Sequence, residues 1–295
     1  MKPTLMVSFS GGRTSAYMAH HLQLNYSDKY SLVFVFMNTG QEHEETLKFV
    51  NECDKRWGLG VVWLEAVFND EKGKGTTYRV VEFETAHRGP DLFMSMCRKY
   101  GVPNAGFPHC NRELKLQPFE KYRANFYPGS ARAIGIRIDE IDRMAANADK
   151  AQIVYPLVSW FPATKPQILR WWDEQDFNLM IPEHRGNCVT CWKKSDRKLF
   201  TNWRTNPEWF ECFDSIENDE QVKAANAEKN SGVFFRNHRS TADIIATASE
   251  SYDSFSDPYF KHIEDKANGC SDHCEVWSDG QLDMLGYNEQ TLDEQ

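Results

Sequence analysis

Short, continuous apolar runs alternate with stretches of helical spacing through the first third of the chain. Residues 4–9 (TLMVSF) form the first run, which ends in a Ser/Gly turn and leads into TSAYMAHHLQL. A second run, SLVFVFMN from Ser31, ends in the polar turn Thr39-Gly40-Gln41. It is followed by EHEETLKFVNECDKRW, where Leu47, Val50 and Trp57 recur near helical spacing. A third run spans Gly60 to Leu64. Strands apolar along their whole length, alternating with helices, predict an α/β fold: a Rossmann-like parallel sheet with helices on both faces. SARAIGIRI at 130–138 reads as a later strand of that sheet, and residues 68–108, rich in Gly, Lys and Pro, as a loop-rich insertion over its carboxyl edge. From about residue 205 the periodicity weakens and acidic residues accumulate. The expected organisation is therefore a domain over 1–204 and an acidic, mainly helical or irregular C-terminal extension over 205–295.

Composition supports a sizeable core, since 41% of the 295 residues are apolar and 9 Trp and 19 Phe are among them. A formal charge of −9 argues against a chain that coats itself in nucleic acid, though it allows a local basic groove. Met1 to Met6 lacks the pattern of a signal peptide, and no run of 18 apolar residues occurs, so no membrane partner and a cytoplasmic location are expected. In that reducing compartment the eight cysteines are core residues, redox thiols or metal ligands rather than disulfides.

Candidate chemistry begins at Ser8-Phe9-Ser10-Gly11-Gly12-Arg13-Thr14-Ser15, between the first strand and its helix. Two glycines let backbone close around an anion, while hydroxyls and a helix N-terminus supply donors and partial positive charge. The segment lacks the Gly-Lys-Ser/Thr ending of a Walker A loop. It reads as a pyrophosphate cradle at the carboxyl end of a parallel strand; the plain alternative is an ordinary Ser/Gly turn.

SFSGGRTSA resembles the PP-loop, SGGxxS, of the adenine-nucleotide α-hydrolase superfamily, whose fold is of the HUP type, and especially its phosphoadenosine-phosphosulfate (PAPS) reductase branch. Many members carry Lys-Asp where Arg13-Thr14 stands; the arginine keeps positive charge, and the lost Asp bears on Mg²⁺ handling. Three more segments follow in the branch's order. Phe36-Met37-Asn38-Thr39-Gly40 with Glu45-Thr46 is similar to NTG…ET and implies a place for Asn38 and Thr39 in the adenine pocket. Cys110 to Phe119, with Lys115, is similar to CCRxLKxxPL. Gly135-Ile136-Arg137-Ile138-Asp139-Glu140-Ile141-Asp142-Arg143 is similar to GxRxxExxR, which implies Arg137 and Arg143 near the nucleotide's phosphates, with Gly135 in the binding segment. Guanidiniums suit oxyanions, and Glu140 can hold Mg²⁺ or orient an arginine; the plain alternative is a solvated charged turn.

Cys188-Val189-Thr190-Cys191 is a CxxC pair, which by itself suits a redox dithiol, half a zinc site or cluster ligands. Reductases of the branch that carry a [4Fe–4S] cluster have tandem cysteines and then a CxxC. Against them Cys110 falls on the first tandem position and Asn111 replaces the second. The resemblance thus implies three thiolates, Cys110, Cys188 and Cys191, around a cluster with one open iron, similar to tRNA-thiolating PP-loop enzymes. His109 is the runner-up fourth ligand. The run Trp192-Lys193-Lys194-Ser195-Asp196-Arg197-Lys198 could steer an anionic substrate or be a solvated helix face. Cys53, Cys97 and Cys212 read as core residues, and Cys270 and Cys274 as an unspecific pair that does not reproduce the reductase tail.

These readings imply an ATP pyrophosphatase that adenylates a substrate for Fe–S-dependent sulfur transfer, with ATP, Mg²⁺ and a [4Fe–4S] cluster as cofactors. Its partners would be a sulfur donor and an acceptor: tRNA, DNA or a small metabolite. The rival is a PAPS or adenylyl-sulfate reductase, with that nucleotide as substrate in place of ATP. A third reading is a non-catalytic nucleotide-binding regulator. Homo-oligomerisation is left open.

Overall fold

The computed structural model describes residues 1–250, apart from 70, 72, 105, 106, 187, 230–233, 237 and 238. Six strands form one sheet in the order β4-β3-β2-β1-β5-β6. They are β1 (Thr4–Ser8), β2 (Ser31–Asn38), β3 (Val62–Val67), β4 (Thr77–Val81), β5 (Ala131–Ala133) and β6 (Ile153–Val154). All neighbours run parallel except β4, which is antiparallel to β3. Helices α1 (Arg13–Tyr26) and α2 (Glu44–Trp57) follow β1 and β2 as the apolar spacing requires. α2 ends on Gly58, left-handed at φ 61°, the usual way a helix is stopped.

Strand β1 shows why the sheet is covered on both faces. Leu5, Met6 and Val7 are each fully buried. Leu5 and Val7 join Phe34, Phe36 and Trp172 on one side, while Met6 joins Val35, Phe119 and Ile134 on the other. At about 1.5–3 kcal/mol for each large apolar side chain buried, these two layers anchor the sheet. The first is closed by α7 (Lys165–Asp173), whose Trp172 is buried and donates its indole N–H to the Arg13 carbonyl at 2.9 Å. The second is closed by α5 (Gln117–Phe126). α5 is entered through the short helix α4 (His109–Asn111) and a π-helical turn, Arg112–Leu116.

The insertion over 68–108 is more ordered than its composition predicts, for it holds β4 and α3 (Asp91–Tyr100). β4 is an edge strand with Val80 exposed, so it lacks the continuous apolar run that marks an interior strand. The strand expected over 130–138 is cut to Ala131–Ala133; its partner β6 is too short to show a period. A single-turn helix, α6 (Pro156–Ser159), precedes α7.

Beyond these lie α8 (Asp196–Thr205), α9 (Glu208–Asn218), α10 (Glu220–Lys229) and α11 (Thr241–Glu250). Phe213, Ile216, Val222 and Phe235 share a core with Phe93 and Met96 of α3, so α9 and α10 are seated directly on the insertion, while α8 and α11 pack with α9 through Leu199, Phe200, Phe210 and Ile244. Among the described residues no helix is long and apolar enough to cross a membrane. Cys270 and Cys274 lie outside the described residues.

Candidate functional site

The loop between β1 and α1 is closed by one hydroxyl. Ser15 Oγ accepts from the Ser10 backbone N–H at 3.1 Å, pairs with Ser10 Oγ at 2.8 Å and donates to the Gly12 carbonyl at 3.0 Å. Gly11 takes a left-handed φ of 79°, and a Cβ there would stand 2.7 Å from Thr46 Cγ2. The N-terminus of α1, with Gly12 at its cap, therefore opens with its first N–H groups beside the turn, a ready anion site.

In front of this turn is a cavity of about 200 Å³. Ser10, Gly11, Gly12, Arg13 and Thr14 form its floor, Lys115, Lys165 and Glu42 its polar rim, and Ile168, Leu179 and Ile181 an apolar wall. Such a mixture suits a ligand with an anionic end and a flat apolar end. Arg13 lines the cavity, but its guanidinium donates to Asn178 Oδ1 at 2.7 Å and to the Leu179 carbonyl at 2.5 Å. It thereby braces the apolar wall.

Glu42 and Lys165 were not singled out from the sequence. Glu42 accepts from the Thr39 backbone N–H at 2.9 Å and from Thr39 Oγ1, and its carboxylate stands 3.9 Å from Lys115 Nζ. Lys115 is carried into the cavity by the π-helical turn. Lys165 begins α7, and its backbone N–H donates to Asp139 Oδ1 at 3.2 Å. A helix start such as Thr164-Lys165-Pro166 was the available signal for it.

Several expected ligand residues serve one layer back. Asn38 is buried and donates to Glu65 Oε1 at 2.7 Å and to the His87 carbonyl at 2.9 Å, so its amide fixes the turn that carries Thr39 and Glu42. Arg137, also buried, donates to Thr14 Oγ1 at 3.2 Å and pairs with Asp139 and Glu140. Arg143 pairs with Glu140 at 2.5 Å. The arginine–carboxylate group thus backs the loop at Thr14, while the cavity rim is supplied by lysines. A Cβ at Gly135 would meet Ser15 Cα and Met18 at ordinary contact distance, which places this glycine beside α1, and Ser8 is buried at the end of β1.

The cysteines were expected to converge. Cys188 and Cys191 lie on one turn, with the Cys191 N–H donating to the Cys188 carbonyl at 3.1 Å, and Cys188 Sγ is 3.9 Å from Thr39 Oγ1. Cys110 packs against the core that holds Cys97 and Phe93. Among the described residues no group of three or more His, Cys, Asp or Glu side chains is arranged to hold a metal ion. The chemistry proposed below takes no step through a cluster held by Cys110, Cys188 and Cys191. His109 does not offer itself as a fourth ligand, because Nδ1 faces the Phe107 carbonyl at 3.0 Å and Nε2 the Gly101 carbonyl at 3.1 Å. The basic run after the CxxC also turns inward: Lys194 and Lys198 are buried, and Lys194 Nζ donates to the carbonyls of His184 and Gly186.

Burial pushes the His109 imidazole down to about 4, outweighing the Phe107 and Gly101 carbonyls, which favour the protonated ring. The folded protein therefore keeps it neutral while the unfolded chain takes up a proton near 6.5. Stability from this residue is complete above that value and is lost as pH falls from there toward 4. Between pH 7 and 5 the loss should reach about 2 kcal/mol. Glu217 works in the opposite direction, since burial lifts its carboxyl to about 7 and its cost appears as pH rises toward that value. Urea unfolding at both pH values, in wild type and His109→Gln, isolates the histidine. The variant should lose about 2 kcal/mol less on acidification, and equal losses would contradict the assignment.

Comparison with known proteins accords with this geometry. The phosphoadenosine phosphosulfate reductase domain matches residues 4–175, which contain the loop, Lys115, Lys165 and Glu42. The uncharacterized nin region protein ORF290 of Escherichia phage lambda is 35% identical over 289 residues, 95% of this chain and 97% of that protein. Two uncharacterized proteins of Methanocaldococcus jannaschii are 28% and 24% identical over 46% and 52% of this chain. These matches span only 23% and 32% of the archaeal proteins.

Proposed function

We propose, for a chain that belongs to the phosphoadenosine phosphosulfate reductase domain family, that the cavity binds ATP and that the α–β phosphate bond is broken to activate an acceptor for sulfur transfer. The observation that carries this reading is the loop closed by Ser15, with the α1 N-terminus and two lysines facing one cavity. The triphosphate would lie on residues 10–15 with Lys115 and Lys165 at its oxygens, and the adenine against Leu179 and Ile181. In the reaction an acceptor oxygen bonds to the α-phosphorus and the bond to the β-bridging oxygen breaks. Its electron pair departs on pyrophosphate, and the acceptor's proton goes to solvent. A sulfur nucleophile at the sulfide level, a hydrosulfide, then bonds to the activated acceptor carbon. The carbon–oxygen bond breaks, AMP leaves with that oxygen and its electron pair, and the sulfur's proton goes to solvent. The helix N-terminus and the lysines stabilise the charge that builds on the leaving pyrophosphate.

Mg²⁺ fits this donor set as an ion shared between the nucleotide and one carboxylate. Glu42 is the acidic side chain on the cavity wall, and Mg²⁺ commonly takes one or two carboxylates plus substrate phosphates. When bound there it would neutralise phosphate charge, a role for which the loop's Thr14 supplies no carboxylate.

The rival reading, reduction of PAPS or adenylyl sulfate by a thiol, uses the same cradle and is favoured by one observation, the Cys188 thiol 3.9 Å from Thr39 Oγ1, whose hydroxyl is bonded to the cavity residue Glu42. The two are separated by product. Pyrophosphate released from ATP, with AMP formed in equal amount, is expected. Sulfite released from PAPS with a dithiol, and no pyrophosphate from ATP, would replace transfer by reduction.

A further inference from the structure

A second cavity, of about 530 Å³, lies at the carboxyl end of β3 and shares no lining residue with the one in front of residues 10–15. Ala66, Val67 and Phe68 line it from the sheet, and Asp91, Ser95 and Lys99 line it from α3. Gln221 of α10 joins them, and α10 lies outside the span matched by the family domain. The cavity is thus made jointly by the insertion and by this chain's own C-terminal helices.

β3 is open at this point. Its pairing with β2 ends where Asn38 meets Glu65, while Ala66 and Val67 continue beside β4 alone. The edge that β2 covers up to Glu65 therefore carries no strand beyond it among the described residues. An edge of this kind accepts extended backbone.

The side chains add a direction. Arg79 is turned onto Glu65 at 2.6 Å and Arg98 onto Asp219 at 2.8 Å, so these two cations are already matched. Each grips its carboxylate through Nε and Nη2, which leaves Nη1 without a hydrogen bond among the described residues. Lys99 has carbonyls, those of Asn69 and Lys74, rather than a carboxylate as its partners. The Asp91 carboxylate has neither a hydrogen bond nor an ion pair among the described residues. Asp91 opens α3 and Lys99 stands in its last turn, an order that suits the helix macrodipole. At 1.5 Å per residue their backbones are about 12 Å apart, which gives the cavity an acidic end and a basic end. His87, also on the wall, offers a donor. The Arg79 guanidinium can only donate, so His87 Nδ1 accepts from it at 2.7 Å and the ring proton sits on Nε2.

We propose that this cavity binds a free peptide of about three residues as an extended zwitterion. The peptide's ammonium group meets Asp91, its carboxylate meets Lys99, and its backbone runs along residues 66–68. Three extended residues span roughly 10 Å, close to the separation of the two charges. A phosphate or sulfate would be opposed by Asp91 and would find Arg79 and Arg98 already matched. An apolar ligand would strip water from both charged ends. The site is independent of the ATP reading and does not rest on it.

The test titrates the full chain with trialanine by isothermal calorimetry, beside N-acetyl-trialanine and trialanine amide, each of which lacks one terminal charge. Trialanine should bind at least tenfold more tightly than either, the scale of one charge-assisted contact. In Asp91→Asn, which breaks no hydrogen bond within the protein, trialanine and its N-acetyl form should bind equally, with the amide still weaker. Lys99→Met should give the converse, trialanine and the amide binding equally. If Lys99→Met unfolds the loop whose carbonyls it holds, Asp91→Asn decides alone. No binding of trialanine, equal affinity for all three peptides, or a preference for the free amine that persists in Asp91→Asn would each overturn the proposal. A preference for the free carboxylate alone would overturn it too, since the cavity would then read the C-terminus of a longer chain.

Discussion

Gly11→Ala is expected to destabilise the protein by about 2–5 kcal/mol and to abolish nucleotide binding in whatever remains folded. Two independent costs combine. A left-handed backbone at φ 79° costs an alanine roughly 1–2 kcal/mol. The new methyl group would also stand 2.7 Å from Thr46 Cγ2 and 3.1 Å from Val50 Cγ2, both on α2, and crowding a packed interior costs about 1–3 kcal/mol more. Relief requires α1 and α2 to separate at the point where the loop closes. Gly12 is different, for its φ of −93° and ψ of 162° are extended backbone that any residue adopts. Urea unfolding of the two alanine variants checks the contrast, and a Gly11→Ala protein as stable as wild type would contradict the loop geometry.

Glu65→Ala should cost about 2–4 kcal/mol, the scale of buried donors left without their acceptor. Glu65 is fully buried in β3 and accepts from Asn38 Nδ2, from the His87 backbone N–H at 2.6 Å and from Arg79 at 2.6 and 2.9 Å. Removing it leaves the Asn38 amide and the His87 N–H without this acceptor, while the half-exposed Arg79 turns to solvent. The effect should travel. Asn38 holds the Gly40 N–H through its Oδ1, and the Gly89 N–H donates to the Gly40 carbonyl, so the turn bearing Thr39 and Glu42 would loosen. Hydrogen exchange should show the amides of Thr39 and Gly40 losing protection in the variant. Loss confined to β4 would mean that Glu65 supports only the sheet edge.

The parts of this account that a sequence carries well are local. Apolar runs at β1 and β2, each followed by a polar turn and a helical period, fix the sheet centre and place the cradle at residues 10–15. The phosphate loop is legible for the same reason, since its glycines, hydroxyls and helix N-terminus are contiguous. Contacts between distant segments leave no such trace. Glu42 is one acidic residue among several in QEHEET, and only folding brings it to Lys115, 73 positions later. Asn38 was expected against the nucleotide, yet a buried acid in the neighbouring strand claims its amide. The two arginines after β5 suit phosphate chemically, but Glu140, between them in sequence, pairs with both, and Asp139 pairs with Arg137, which stands behind Thr14. β4 escaped notice because an edge strand with an exposed face lacks the pattern of a buried one.

Lysines at the rim give the most direct test of the central claim, that the cavity in front of residues 10–15 holds a nucleotide triphosphate. Each charge-assisted bond from Lys115 or Lys165 to phosphate should be worth about 1.5–3 kcal/mol. Equilibrium dialysis with radiolabelled ATP should therefore show affinity falling at least tenfold in Lys115→Ala and again in Lys165→Ala, and by a larger factor in the double variant. Melting temperatures should stay close to wild type in Lys165→Ala, whose side chain is partly exposed. Undiminished ATP affinity in the folded double variant would contradict the account, because the nucleotide would then be bound somewhere other than this cavity.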